Sequence, residues 1–483
     1  MRYSIVVIGL LMSVYAGSSA MVFALQNADY AAQLSESDDP SVVGQDANQA
    51  ALQSDPKRVQ QDTQLVRDFA SEVRQTSLII LDSETLAASK KAYQNDLAFK
   101  KEVEAIIKTG DKASKISPYT VTKKTVLPAS NNKNDYFTVG PYWWPDPKKK
   151  NGLPWIRRDG DVNQAVRGEN SDHRQIYGLI NTIDSLALAY YFSDNPKYAK
   201  RAEKLLRVFF IDEDTKMNPH ANYAQAIPGK YLGRGIGIIE FRQMVRMLDG
   251  MTLMQSEFQD DTKVLVDEWL TIFMGWLIES DHGRTEMKKE NNHGTYYDVI
   301  LASLSSYLGM DDVSNLVIRN TKARIKSQIE RDGRQPHELE RTRPFHYSTF
   351  NLIAFTNMVK IANNMGVDLL HYPNEDDARI VKAYTFLTSD FTNRKYWSGK
   401  QEKTLSLDKL VGFSMIIDQL AKQPRKPNNT DARLQQSIST TLSTILNIDE
   451  DEVSRQMQAC APLFNYSELN DISYSSTVKP CTY

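Results

Sequence analysis

The sequence predicts an all-α protein built from antiparallel helical hairpins, with two long loops set between them. Three observations carry that prediction. Apolar residues recur every three to four positions over most of the chain, short turns with helix breakers separate the periodic segments, and no strict repeat period appears. The first clear series is Ile176, Leu179, Ile180, Ile183, Leu186, Ala187, Tyr190 and Tyr191, the apolar stripe of one helix. Similar segments follow at 197–211, 235–250, 262–280, 294–308, 312–330, 347–365, 375–391, 406–421 and 432–446. The runs Ser193-Asp194-Asn195-Pro196 and Gly309-Met310-Asp311-Asp312 read as tight turns between neighbouring helices.

The ends of the chain read differently. Arg2, an apolar run from Ile5 to Ala16 and small residues at Ser18 and Ala20 form a secretory signal peptide over 1–20, with cleavage after Ala20 or Ala24. The run is shorter than the ~18 apolar residues that a membrane anchor needs. Residues 21–61 are rich in Gln, Asp, Ser and Ala and too poor in large apolar groups to offset their ordering entropy, so they read as a polar linker or pro-segment. One large domain is expected over 62–450, followed by a tail over 451–483. Cys460 and Cys481 are the two cysteines of the chain, and in an exported protein they are expected to form a disulfide. Asn428 and Asn465 open glycosylation sequons.

A net charge of −2 gives no sign of a nucleic-acid binder, so an anionic ligand must meet a local basic patch. The hydrophobic fraction of 41% is that of a globular protein, no later stretch is apolar enough to span a bilayer, and with the signal peptide a secreted monomer is expected.

Two stretches interrupt the helical pattern. One, from Ser117 to Gly160, is aromatic and pinned by prolines, and holds Tyr142, Trp143, Trp144 and Trp155. The other, from Met217 to Arg234, offers His220, Asn222, Tyr223, Gln225 and Arg234. Long ordered loops between helices are where binding residues gather. Flat rings suit sugar faces and the polar groups suit subsites, although core packing explains the rings and a self-bonded loop explains the polar groups equally simply.

Two clusters have the chemistry of a site. Asn291-Asn292-His293-Gly294 opens a helix, where unpaired backbone donors favour an anion; an N-cap beside a hydrogen-bonded histidine is the plainer account. Before the segment at 347–365 lies Gln335-Pro336-His337-Glu338-Leu339-Glu340-Arg341-Thr342-Arg343-Pro344-Phe345-His346-Tyr347. Arginine forks onto carboxylates, and a tyrosine exchanges protons if nearby cations lower its pKa, whereas a solvated charge run is the plainer account.

With these clusters, the blocks Pro118-Tyr119-Thr120-Val121-Thr122, Pro141-Tyr142-Trp143-Trp144-Pro145-Asp146-Pro147, Gly152 to Gly160, Asn218 to Gly229 and Gly233 to Glu240 stand in an order that resembles the alginate lyase superfamily. The resemblance spans roughly residues 75–400 and is strongest to the branch with the Tyr-Trp-Trp-Pro-Asp-Pro loop. It implies an incomplete (α/α) toroid and a polysaccharide lyase that takes an anionic uronic-acid polymer, alginate or glucuronan, without metal or cofactor. It also implies that Asn292, His293 and Arg341 neutralise the uronate carboxylate while Tyr347 acts as base and then acid, with His293 as the alternative base. Tyr142, Trp143, Trp144, His220, Asn222, Tyr223, Gln225, Arg234, Arg343 and His346 would contact the sugar chain. Members often carry a histidine before the Asp-Tyr of the early loop, where this chain has Asn134.

Two rival readings use the same residues. A glycoside hydrolase on a similar toroid would need two facing carboxyl groups, and Asp159, Asp172, Glu240 and Glu338 are available. A non-catalytic polysaccharide binder would keep the aromatic groove without turnover.

Overall fold

The computed structural model describes residues 77–389 except 96, 169 and 170, together with Ser414, Ile417, Leu434 and Ile438. The signal segment, the linker, both sequons, Cys460, Cys481 and most of the two C-terminal periodic segments lie outside the described residues.

Among the described residues the chain forms twelve α-helices and four short strands. Helices α1 (Ser83–Asn95) and α2 (Leu97–Ala113) form a first hairpin, ahead of Ile176, that is not among the periodic segments expected from the sequence. Next come α3 (Asp172–Ser193), α4 (Lys197–Leu206), α5 (Met244–Met254), α6 (Asp260–Glu279) and α7 (Asp281–Met287). The last five are α8 (Asn292–Tyr307), α9 (Asp311–Gln328), α10 (Pro336–Leu339), α11 (Pro344–Asn364) and α12 (Arg379–Ser389). Packing runs along this order: α3 lies against α2, α4 and α5, α5 against α8, α8 against α9 and α11, and α11 against α12. The result is an incomplete toroid of antiparallel helical hairpins around a large apolar core, with a small second cluster of Phe99, Val103 and Phe192 beneath the first hairpin.

Both sequence turns appear. Asp194 ends α3 in the left-handed region at φ 53° and returns its N–H to the Tyr190 carbonyl, while Pro196 caps α4. Gly309, at φ 65°, separates α8 from α9. Two boundaries differ from the periodicity. The segment read as a helix from 235 begins as a 3-10 turn, Gly235–Phe241, because Gly235 lies so close to the His282 carbonyl that a Cβ would sit 2.5 Å from its oxygen. Helix α11 starts at Pro344, so Tyr347 belongs to its first full turn.

The two loops are not wholly irregular. β1 (Phe137–Val139) pairs in parallel with β4 (Tyr223–Ala226), and β2 (Trp143–Trp144) pairs antiparallel with β3 (Ile156–Arg157). The first pairing joins the early loop to the second across more than eighty residues of sequence. Glu240 seals the junction from beneath: Tyr136 and Thr138 hydroxyls donate to its Oε2 at 3.0 and 2.7 Å, and Arg167 and the Gln225 amide reach Oε1.

A buried carboxylate also ties down the start of the described chain. The backbone N–H groups of Ile79, Ile80 and Leu81 donate to Asp249 at 2.6, 3.0 and 2.9 Å. Burial pushes the Asp249 carboxyl up to about 6 against the pull of these donors. Asp249→Ala leaves the three donors unpaired and should cost about 3 kcal/mol in urea unfolding, whereas a loss below about 0.5 kcal/mol would show that the anchor contributes nothing.

Candidate active site

The first turn of α8 carries Asn292 and His293, and its approach is fixed from behind. Asn291 is the N-cap and accepts the His293 N–H at 3.1 Å. Arg324, paired with Asp298 at 2.8 Å, donates to the carbonyls of Lys289 and Met287 and so pins the link between α7 and α8. Only glycine fits at 294, where a Cβ would meet the Lys289 oxygen at 2.0 Å and the Arg324 guanidinium at 2.3 Å.

Two buried carboxylates then bracket this turn. Glu338, on α10, accepts the Asn292 backbone N–H at 2.6 Å and its side-chain Nδ2 at 3.1 and 2.9 Å. Burial raises the Glu338 carboxyl, against Asn292, Arg341 and His293. Glu286, fully buried at the end of α7, lies 2.6 Å from His293 Nδ1. A carboxylate there favours a proton on Nδ1 and leaves Nε2 as the acceptor. His293 keeps 20% of its side chain exposed, and no protein partner meets its Nε2 among the described residues.

The second cluster folds over the same place. The Arg341 guanidinium lies 3.7 Å from the centre of the Tyr347 ring and donates to Asp159 at 3.2 Å. Thr342 and Arg157 bind the same carboxylate, at 3.1 and 2.6 Å. Burial opposes ionisation of Asp159, but Arg341 and Arg157 hold its carboxyl below the usual range. The Tyr347 hydroxyl meets that of Tyr142 at 2.9 Å, which brings the early loop onto α11.

The protonation of Tyr347 departs from the sequence expectation. Burial pushes its phenol well above the ordinary tyrosine value, Tyr142 pushes the same way, and the opposing charge of Arg341 is not enough to reverse them. Arg343 does not supply the missing cation, because it turns to His346 Nδ1 at 3.2 Å. Tyr347 is therefore an acid in the free protein.

The loop residues divide into two groups. Trp143 lies beneath two cations, Lys230 and Arg234, each 5.7 Å from its ring centre, and Trp144 lies beneath Arg158 at 5.0 Å. These rings thus present positive charge on a flat support, where bare faces were expected. Arg234 is steadied by the Gln225 carbonyl at 2.8 Å, and burial brings it down to about 10. Gln225 itself is buried at φ 47°, a conformation that non-glycine residues rarely hold outside functional sites.

The other group is occupied internally. His220 faces Asp135 at 3.2 Å, Asn222 accepts the Trp276 indole N–H at 2.8 Å, and the Tyr223 ring packs edge-on to His220. Asn134, at the position where a histidine was noted as frequent, donates to the carbonyls of Glu213 and Lys216.

The four carboxyl groups available to a hydrolase also have internal duties. Asp172 is paired with Lys124 at 2.9 Å, Glu240 with Arg167, Glu338 with Asn292 and Asp159 with Arg341. Sequence reasoning missed Glu286 altogether. Its signal was faint, one of several acidic residues near His293, seven positions before it on a separate short helix.

Because burial dominates at Tyr347, spectrophotometric titration of wild type against Tyr347→Phe should show no difference in phenolate absorbance up to about pH 10. Loss of one phenolate below that pH in the variant would contradict the protonated assignment.

Comparison with known proteins identifies the family. The sequence matches the family described as alginate lyase over residues 120–397. Among solved structures, an alginate lyase from Bacteroides ovatus is 32% identical, with 82% of this chain and 97% of that one covered, at a TM-score of 0.65. Alginate lyase A1-III from Sphingomonas species A1 is 14% identical over 77% of this chain and 88% of that one, at a TM-score of 0.43. Comparison with curated proteins gives no match. With more than half of its length inside the family match and the toroid of the Bacteroides structure, this chain belongs to the alginate lyase family and is a polysaccharide lyase.

Proposed function

We propose that this lyase cleaves a 4-linked uronic-acid polymer by β-elimination, with His293 as the base and Tyr347 as the acid. The reading is supported by Glu338, which is bonded to Asn292 and feels the charge of both His293, oriented by Glu286, and Arg341, which lies on the ring of the protonated Tyr347. In this reaction the base removes the C5 proton, the C4–C5 double bond forms, and the C4 oxygen leaves with a proton from the acid. The C5 proton is a poor acid beside an ionised carboxylate. Donors from Arg341 and Asn292 would stabilise the charge that builds there as the proton departs.

A base and an acid on different residues suit a sugar whose C5 proton and C4 oxygen lie on opposite ring faces, as in guluronate. A second reading gives both roles to Tyr347 and suits mannuronate and glucuronate, where the two lie on the same face. Its support is the placement of Arg341 on the ring and of the Tyr142 hydroxyl at 2.9 Å, both able to steady a phenolate once substrate is bound. Lys230, Arg234 and Arg158, held on Trp143 and Trp144, would receive the carboxylates of neighbouring sugars. The N-terminal segment supports export, and no described helix is long and apolar enough to cross a membrane.

A panel of polyguluronate, polymannuronate, glucuronan and neutral glycans, read by ultraviolet absorbance of unsaturated ends, tests the function. Polyguluronate cleavage supports the divided assignment, preference for the other two polyuronates supports the single tyrosine, and no unsaturated product from any polyuronate refutes both. Tyr347→Phe should lower kcat by roughly 10³-fold or more while leaving polymer binding intact. Asp159→Ala releases Arg341 and should lower kcat/KM by about 10²-fold in a folded protein; unchanged kinetics would remove Asp159 from the site. The double variant Lys230→Ala, Arg158→Ala should raise KM for polymer several-fold with little change in kcat, and the difference should shrink in high salt.

A further inference from the structure

We propose that Glu338 takes up a proton when a uronate carboxylate enters the site, so that substrate affinity is coupled to pH through this one buried side chain. The inference rests on the uronate reading given above and concerns how the same site admits an anion. Asn292 is 2% exposed and Glu338 1% exposed. The backbone N–H and Nδ2 of Asn292 are both spent on the Glu338 carboxylate. For Asn292 to bind the substrate carboxylate, one Nδ2 hydrogen must turn to the sugar while the other stays with Glu338, and two carboxylates then share one amide.

Nearby cations do not remove the conflict. The charged and titratable groups that face Glu338 are Asn292's neighbour His293, Arg341 beyond α10, and the buried phenol of Tyr296 one turn further along α8. His293 is already held by Glu286, and Arg341 by Asp159. Arg242 acts on Tyr296 and lies over the Phe350 ring. Two carboxylates crowded into a dry site do not both stay ionised, and the buried one with no cation of its own is the one to accept a proton from solvent. Burial has already raised the Glu338 carboxyl before substrate arrives. In its acid form one oxygen continues to accept the Asn292 backbone N–H, while the other becomes a donor able to face the incoming carboxylate.

The sign of the linkage follows. The complex binds more protons than the free protein, so affinity falls as pH rises, by up to about tenfold per pH unit. The test is calorimetric titration of Tyr347→Phe protein with alginate and glucuronan oligosaccharides, in two buffers of different ionisation enthalpy, across the neutral range. We expect uptake of up to one proton per occupied site. The uptake should vanish when Glu338→Gln is added, and should persist when His293→Gln is added in its place. Binding without proton uptake, uptake that survives Glu338→Gln, or uptake abolished by His293→Gln would each overturn the proposal. If Glu338→Gln does not fold by circular dichroism, the His293→Gln protein decides alone, since retained uptake supports Glu338 and lost uptake assigns the proton to the imidazole. Failure of Tyr347→Phe to bind any polyuronate would instead overturn the uronate reading itself.

Discussion

Glu286 and Glu338, both buried, take the donors at the start of α8 and thereby fix where Asn292 and His293 point. A helix N-terminus has unpaired N–H groups that would otherwise turn to water or to a ligand at random. Here one of them is consumed by Glu338 and another by the Asn291 side chain. What remains exposed is the imidazole edge. The bracket works because its two carboxylates come from different elements, α7 and α10, so the positions of three helices are set against one another at a single turn.

The same economy recurs around Arg341. Asp159 collects Arg341, Thr342 and Arg157, so the long early loop is held to the short link between α10 and α11, almost two hundred positions away. Tyr142 adds a second tether through Tyr347. Loops of this length are entropically costly to order, and the β1–β4 pairing, the Glu240 network and the Asp159 cluster are the contacts that offset the cost. Function gains from the arrangement because the groups of the proposed reaction sit on helix starts, while the loop contributes the charge that holds them.

The aromatic residues also changed meaning once placed. A tryptophan with a cation on its face binds a polyanion differently from a bare ring, by presenting a partly desolvated charge at a fixed height. Trp143 and Trp144 do this with Lys230, Arg234 and Arg158. A chain of net charge −2 thus has local positive charge beside its candidate site without being basic as a whole.

The sequence by itself determined the helical class, most helix positions after Ile176 and the turns at Asp194 and Gly309, because these depend on local periodicity and backbone conformation. It also singled out Asn292, His293, Arg341 and Tyr347, through ordered motifs that survive without knowledge of packing. It did not yield α1, of which Leu86 and Ser89 are buried, or α2, whose Phe99 and Val103 pack in a small cluster with Phe192, nor Glu286, which becomes meaningful only where α7 meets α8. The sequence made a lowered Tyr347 pKa conditional on nearby cations; Arg341 is present, but burial, which the sequence does not display, pushes the phenol the other way. Tertiary structure alone decided which partner each polar group spends its hydrogen bonds on, because burial and competing contacts between distant residues set that choice.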